Sequence, residues 1–222
     1  MSAPTPPEIA PSGVPRKRLR AILRRGFDAV DRLAFPAAAS PADHWQRIVL
    51  NETVNRYIVS LDPTSRSAAE ISGNTHADKP WKSYSTLDYP KFDLCAPLRD
   101  DRRFDVVICE QVLEHVADPC AAAQNLRELC VPGGHVIVST PFLVKVHELP
   151  TLALEDYWRF TPRGLRTLLE RAGLHIDELG TWGNRLCVTG NLSRWSGYRR
   201  WHPLGNEPDV PLHVWAFARN PQ

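Results

Sequence analysis

Hydrophobic and polar positions along the middle of the chain follow first a strand pattern, then a helix pattern, then a strand pattern again. Residues 104–109 form a short apolar run rich in β-branched side chains, which is typical of a strand buried on both faces. Apolar residues then recur at helical spacing over 120–130, after a proline suited to the first turn of a helix. Pro132, Gly133 and Gly134 predict a tight turn, and 135–142 is a second β-branched run. This order within about 40 residues predicts a βαβ unit with two parallel strands.

The same reasoning predicts further elements on both sides of this unit. A helix is expected to begin at Asp43 or His44 and to end near residue 59, and a strand is expected over 83–87. A second helix is predicted over 162–172, because Thr161 suits the N-cap, Pro162 the first turn and Gly173 the position after the helix. Strands are predicted over 176–182 and 212–218, with a long basic and aromatic loop or packing insertion over 183–211.

Composition is ordinary for a globular protein, with 43% hydrophobic and 23% charged residues among 222. A formal net charge of +2 gives no argument for nucleic acid as a partner. The five cysteines form no C-x-x-C pair, so reduced cysteines in a cytoplasmic protein are expected. No apolar run approaches the length of a membrane span, and no signal peptide is visible.

The N-terminal part is predicted to be a separate extension. Residues 1–15 are rich in proline and should be a disordered tail. Residues 16–35 have apolar positions at helical spacing and a basic opposite face. Such a helix could lie on an anionic membrane surface or dock its apolar side on the catalytic domain, and the second alternative is favoured because Gly26, Asp28 and Asp31 interrupt the basic face.

The segments FDVVICEQVLEHVADP and NLRELCVPGGHVIVSTPF resemble the fourth and fifth strand region of class I S-adenosylmethionine-dependent methyltransferases, of the methyltransferase type 11 kind. The resemblance implies an α/β, Rossmann-like fold with a mostly parallel seven-stranded sheet flanked by helices, the last two strands forming an antiparallel hairpin. It also implies a methyltransferase domain over 61–222, preceded by a tail over 1–15 and a helical extension over 16–60. The cofactor would be S-adenosyl-L-methionine.

The first loop of the expected cofactor site departs from the family pattern, because its E-I-S-G sequence has one glycine where two or three are usual. Glu70, Ser72 and Gly73 are nevertheless predicted to bind the cofactor. Gly73 would permit close approach and unusual backbone angles, and Asn74 would tolerate positive φ. A nicotinamide enzyme would require G-x-G-x-x-G here, and that motif is absent.

Acidic residues further along supply the rest of the predicted cofactor site. Asp88 lies 18 residues after Glu70, where a carboxylate bonds the ribose hydroxyls in nucleotide-binding α/β folds. Asp93 occupies the place where the family accepts a hydrogen bond from the adenine amino group. The complete predicted set is Glu70, Ser72, Gly73, Asp88, Asp93, Leu94, Glu110 and Gln111.

His147 and Tyr157 are the predicted catalytic residues, since both follow the strand over 135–142 and therefore lie near the ligand-binding edge of the sheet. Histidine is the natural base at neutral pH. His115 is a rival for which a structural role is favoured, and packing remains an equal alternative for His147. No metal site is predicted.

Three other functions remain open: an inactive methyltransferase-like binding module, a nicotinamide-dependent oxidoreductase, and an adaptor at a membrane surface or nucleic acid. The favoured function is methyl transfer to an unidentified small-molecule acceptor. Nucleic acid is not favoured as a partner, a membrane surface could be contacted only through the 16–35 helix, and the sequence does not determine the oligomeric state.

Overall fold

The structure, a computed structural model, describes residues 45–99, 101–148, 154–193 and 205–222, with a few positions between 18 and 29. One compact unit comprises Asp43–Gly197 and Leu204–Gln222, and the other comprises Met1–Ala42 and Tyr198–Pro203. In the latter, the described positions between 18 and 29 are helical. The predicted tail over 1–15, most of the apolar positions of the 16–35 helix and the basic-aromatic stretch 194–201 lie outside the described residues.

A six-stranded sheet forms the centre of the larger unit, in the order β2-β1-β3-β4-β6-β5. The strands are β1 (Ser67–Ile71), β2 (Ser83–Leu87), β3 (Phe104–Glu110), β4 (Cys130–Pro141), β5 (His175–Trp182) and β6 (His213–Arg219). Strands β1 to β4 are parallel, and β6 runs antiparallel to β4 and β5. The predicted α/β architecture and its edge hairpin are confirmed. The count of seven strands is not, because the described residues between β2 and β3 form turns and no strand.

Four α-helices accompany the sheet in the described part of this unit: α1 (Trp45–Ser60), α2 (Pro119–Leu129), α3 (Pro162–Arg171) and α4 (Arg185–Ser193). The predicted caps of α3 are confirmed: Thr161 Oγ1 accepts the Gly164 N–H at 3.0 Å, and Gly173, just after the helix, has a positive φ of 88°. Asp118 caps α2 by accepting the N–H groups of Cys120 and Ala121. Helix α4 was not predicted, because it lies in the segment that the sequence indicated as a loop insertion.

Strand β4 begins directly after α2 and includes the two glycines that were predicted to form a separate turn. The Gly133 N–H donates to the Asn220 carbonyl at 2.8 Å, and the Asn220 N–H donates to the Gly134 carbonyl at 3.0 Å. A Cβ on Gly134 would lie 2.9 Å from the carbonyl oxygens of Asp105 and Val131. The segment therefore pairs with the chain after β6 as an irregular strand, and Gly134 permits this close approach.

Both faces of the sheet are covered, and the shared direction of β1 to β4 determines the edge where the site lies. Central residues of β3, such as Val106, Val107 and Ile108, are fully buried, as expected for a parallel strand covered on both sides. Helix α1 packs on the sheet through Tyr57, whose ring stacks on Phe217 with centroids 4.0 Å apart. Because β1 to β4 are parallel and β6 is antiparallel to them, the carboxyl ends of β1 to β4 and the amino end of β6 meet at one edge. None of the helices in the described residues is long and apolar enough to cross a membrane.

Candidate active site

A cavity of about 780 Å³ opens at the carboxyl edge of the parallel strands. The strand order reverses between β1 and β3, and such a reversal creates the crevice in which α/β sheets bind ligands. The cavity volume falls in the usual range for small-molecule and cofactor sites. The polar residues in its wall are Arg47, Ser72, Tyr89, Asp93, Gln111, Glu114, His115, His147, Glu155, Tyr157 and His213.

The cavity wall contains two non-glycine residues with left-handed backbone conformations, each directly after a parallel strand. Ser72 follows β1 with a φ of 52°, and Gln111 follows β3 with a φ of 57°. Hydrogen bonds hold both: the Ser72 N–H donates to the Leu87 carbonyl at 3.0 Å, and the Gln111 N–H donates to the Ser139 carbonyl at 2.8 Å. Such conformations cost about 1–3 kcal/mol each and cluster at ligand sites. Ser72, rather than Gly73 or Asn74, therefore makes the sharp turn of the first loop.

Glu70 lies beneath this loop and holds it by hydrogen bonds. Its carboxylate is buried and accepts the N–H groups of Thr75 at 2.9 Å and His76 at 3.0 Å, as well as the Tyr84 hydroxyl at 2.5 Å. Burial raises the pKa of the Tyr84 hydroxyl, and its hydrogen bond to Glu70 raises the pKa further. The hydroxyl therefore stays protonated and donates. A Cβ on Gly73 would lie 2.6 Å from Glu70 Oε1, so the single glycine of the loop makes room for this carboxylate.

Glu110, at the end of β3, continues the buried network. One of its carboxylate oxygens lies 2.6 Å from His76 Nε2, and the other accepts the Ser139 hydroxyl at 3.3 Å. The His76 side chain is 2% exposed and that of Glu110 7%. Glu70, Gly73 and Glu110 thus lie behind the cavity wall, whereas Ser72 and Gln111 lie in it.

The remaining predicted cofactor residues follow β2. Asp88 is exposed and does not line the cavity, but it comes directly after Leu87, the last residue of β2, which is paired in register with the last residue of β1. Asp93 and buried Leu94 line the cavity. Asn125 of α2 was not predicted as a site residue, but its amide donates to the carbonyls of Leu94 and Ala96 at 2.7 Å and fixes this part of the wall.

His147 lies in the cavity wall beside a buried carboxylate. Its Nδ1 is 3.2 Å from an Asp156 oxygen, and its backbone N–H donates to the same carboxylate at 2.7 Å. Arg159 also donates to Asp156 through both terminal guanidinium nitrogens, one to each carboxylate oxygen. Burial alone would raise the pKa of Asp156, but these hydrogen bonds hold it below its usual value. Burial lowers the pKa of His147, which favours the neutral ring that a general base requires.

Tyr157 and His115 also line the cavity. The Tyr157 hydroxyl donates to the Glu155 carboxylate, and its backbone N–H donates to the Glu114 carbonyl at 2.7 Å. His115 Nδ1 lies 2.6 Å from the Glu155 carbonyl, and its ring meets the His147 ring edge to face with centroids 5.1 Å apart. The structure therefore brings both predicted catalytic residues to one side of the cavity, and the catalytic roles stay predictions.

Similarity to known proteins identifies the family to which the chain belongs. A family model described as a methyltransferase domain matches residues 12–179, well over half of the chain. The chain belongs to this methyltransferase family. It is a methyltransferase, as the residues over 104–142 indicated, and its fold is that of S-adenosylmethionine-dependent methyltransferases of class I.

The methyltransferase is similar to curated proteins named ubiquinone biosynthesis O-methyltransferase. It is 28% identical over 174 residues to one from Coxiella burnetii and 38% identical over 160 residues to one from Cereibacter sphaeroides. These matches cover 75% and 60% of this chain, and 68% and 62% of the two relatives. Among solved structures, an S-adenosylmethionine-dependent methyltransferase from Clostridium acetobutylicum matches with a TM-score of 0.52 at 8% identity, covering 90% of this chain and 100% of that one. At this identity, the structural match supports the fold alone.

Five polar residues of the methyltransferase cavity were not singled out from the sequence: Arg47, Tyr89, Glu114, Glu155 and His213. Glu114 is fully buried, neither of its carboxylate oxygens has a hydrogen-bond partner within the described residues, and burial raises its pKa to about 8. His213 is 1% exposed, and neither of its ring nitrogens has a partner there. The LEH sequence after β3 pointed only to His115, and His213 and Arg47 come from distant elements that the fold brings to the same edge.

Glu114, His115 and His147 could together hold a metal ion, since one ligand atom from each lies within 4.8 Å of the others. A carboxylate oxygen and two imidazole nitrogens suit a divalent cation of the zinc or iron type. The sequence had predicted no metal site. Assays of the methyltransferase with and without a chelator are therefore necessary controls.

The burial of His213 predicts how the free energy of unfolding depends on pH. Burial, followed by the positive charge of Arg47, lowers the pKa of His213 to about 3 from 6.5, so the unfolded state binds a proton that the folded state does not between these values. Stability from this group is complete above pH 6.5 and is lost as the pH falls toward 3. Between pH 7 and pH 5, the wild type should lose about 2 kcal/mol more than a His213→Gln variant. Urea denaturation of both proteins at the two pH values measures this, and equal losses would contradict it.

Proposed function

We propose that this methyltransferase transfers the methyl group of S-adenosylmethionine to an oxygen atom of a small-molecule acceptor. The observation that carries the proposal is the cavity at the strand reversal between β1 and β3, whose wall contains Ser72 and Gln111 after these strands together with His147. The names of the similar curated proteins, which specify O-methyltransferases, favour oxygen as the accepting atom.

The two sides of the cavity take different parts in the reaction. Residues after β1, β2 and β3 bind the cofactor: Ser72 and Gln111 face it, Asp88 binds the ribose hydroxyls, and Asp93 and Leu94 bind the adenine. Glu70, Gly73 and Glu110 act from behind, by holding the first loop. The acceptor then lies toward β4 and β6, near His147 and Tyr157.

S-adenosylmethionine supplies a methyl group that is already activated on a sulfonium. The protein therefore contributes mainly by holding the acceptor oxygen in line with that methyl group and by excluding water. His147 accepts the proton of the acceptor hydroxyl, and Asp156 holds the imidazole ring in position, as carboxylates do beside catalytic histidines. Tyr157 closes the acceptor side of the cavity.

Methyl transfer from radiolabelled S-adenosylmethionine to a panel of phenols and catechols, with amines and thiols of similar size, tests this function. The proposal predicts labelled methyl ethers from hydroxyl acceptors. Labelled products from amines or thiols alone would contradict the assignment of oxygen as the accepting atom.

Asp88→Ala is expected to weaken binding of S-adenosylhomocysteine by at least about tenfold, because a carboxylate that bonds ribose hydroxyls makes charge-assisted hydrogen bonds worth roughly 1.5–3 kcal/mol each. The fold should be unaffected, since Asp88 is exposed at a strand end. Titration calorimetry measures the affinity, and Asp78→Ala, which removes another exposed carboxylate from the preceding loop, is the matched control. Unchanged affinity in Asp88→Ala would remove Asp88 from the cofactor site.

A further inference from the structure

Arg47 brings a positive charge to the acceptor side of the cavity. It lies in the first turn of α1, lines the cavity and is half-buried. No ion pair joins Arg47 to a carboxylate in the part of the chain that the structure describes. A half-buried guanidinium that forms no ion pair loses hydration without full compensation, so a ligand that carries negative charge would be favoured beside it.

His213 supplies hydrogen-bonding capacity at the same place. It is the first residue of β6 and pairs in register with Pro141, the last residue of β4, so it lies at the ligand-binding edge of the sheet. Its ring is 1% exposed, lines the cavity and has no hydrogen-bond partner at either nitrogen among the described residues. Leaving a buried polar group unpaired is costly, and a neutral imidazole has one donor and one acceptor to offer a ligand.

Arg47 and His213 line the same cavity, one from the first turn of α1 and the other from the first residue of β6. The positive charge of Arg47 lowers the pKa of His213, second only to burial, and it also acts on Glu114. The neutral state of His213 that follows keeps its N–H available as a donor without adding a second positive charge. The two side chains therefore combine one cation with one neutral donor, a set that suits an anionic oxygen group.

We propose that Arg47 and His213 form a subsite for an anionic group of the acceptor, a carboxylate or a phosphate, separate from the oxygen that receives the methyl group. This subsite rests on the proposed function, because it lies on the acceptor side of the same cavity. Aliphatic residues of the same wall, among them Val144 and Leu154, would contact the carbon skeleton of the acceptor. The acceptor class is therefore a hydroxylated organic acid or phosphate ester.

Binding of benzoate, phenyl phosphate and phenol to the full-length protein saturated with S-adenosylhomocysteine tests the subsite without requiring turnover. The three probes share one ring and differ in charge and in the anionic group. Benzoate or phenyl phosphate should bind roughly 10- to 100-fold more tightly than phenol. Which of the two binds more tightly distinguishes a carboxylate subsite from a phosphate subsite.

Arg47→Gln should abolish the preference for the charged probe, and Arg47→Lys should retain part of it. His213→Asn should weaken binding of the charged probe more than that of phenol. The matched control is Arg56→Gln, which removes the same charge from an exposed position of α1 and should leave the preference intact. Melting temperatures with S-adenosylhomocysteine establish that each variant is folded.

Equal affinities for the three probes, binding of none of them up to their solubility, or a preference that survives in Arg47→Gln would overturn the subsite. If the wild type binds S-adenosylhomocysteine in any of these cases, the proposed function is left standing. If the wild type does not bind S-adenosylhomocysteine at all, both proposals fail together.

Discussion

Replacing His147 with alanine is expected to lower the rate of methyl transfer by roughly 10²–10⁴-fold under saturating cofactor, the usual contribution of a general base. The affinity for S-adenosylhomocysteine should be unchanged, since His147 lies on the acceptor side. The physical basis is the contact of its Nδ1 with buried Asp156 at 3.2 Å, together with the burial that lowers its pKa and keeps the ring neutral.

Asp156→Asn is the companion variant for His147, because it keeps the shape of the side chain and removes the charge beside the imidazole. It should lower the rate by less than His147→Ala and should also alter its pH profile. Repeating both assays with a chelator and with added divalent cations separates proton transfer from metal binding by Glu114, His115 and His147. Activity of His147→Ala within a factor of three of the wild type would remove His147 from the mechanism.

Glu70→Ala is expected to have the second large effect, although Glu70 does not line the cavity. The substitution leaves the N–H groups of Thr75 and His76 and the Tyr84 hydroxyl without their acceptor. An unpaired buried donor costs about 1–3 kcal/mol; the His76 N–H is buried and the other two hydrogen bonds are partly buried, so the free energy of unfolding should fall by about 3 kcal/mol. The first loop then loses the conformation that orients Ser72, and affinity for S-adenosylhomocysteine should fall roughly 100-fold, which corresponds to about 2.7 kcal/mol.

Two further variants serve as controls for the effect of Glu70→Ala. Tyr84→Phe removes one of the three donors and should have a smaller effect on both quantities. Glu52→Ala removes an exposed carboxylate from α1 and should have none. Calorimetry at a temperature where each variant is folded gives the affinity, and a Glu70→Ala variant that binds within threefold of the wild type would show that the buried network does not shape the cofactor site.

Local sequence signals predicted much of the fold because the interactions behind them are local. Thr161, Pro162 and Gly173 fixed the ends of α3 through capping and backbone preferences. The β-branched runs predicted β3 and β4 because strands buried on both faces require them. The start of β4 was missed, since Gly133 and Gly134 pair with Asn220, and a contact across so many residues leaves no local pattern.

The candidate site was predictable to the extent that topology places strand ends at one edge. Ser72, Asp93, Leu94, Gln111, His147 and Tyr157 line the cavity for that reason. Arg47 and His213 were missed because the side of the sheet that α1 covers and the direction of β6 are properties of the whole fold. The position of Glu70 behind the loop also depends on the tertiary partners Tyr84 and His76, which sequence spacing alone does not reveal.

Titration of the purified protein with S-adenosylhomocysteine, with NAD as the competing dinucleotide, tests the central claim most directly. We predict one cofactor site per chain. At about 100 times its dissociation constant, the ligand should stabilise the fold by roughly 2.7 kcal/mol and raise the melting temperature by several degrees. The absence of binding and of any shift at millimolar S-adenosylhomocysteine and S-adenosylmethionine, with NAD producing a shift instead, would contradict the assignment of the cavity.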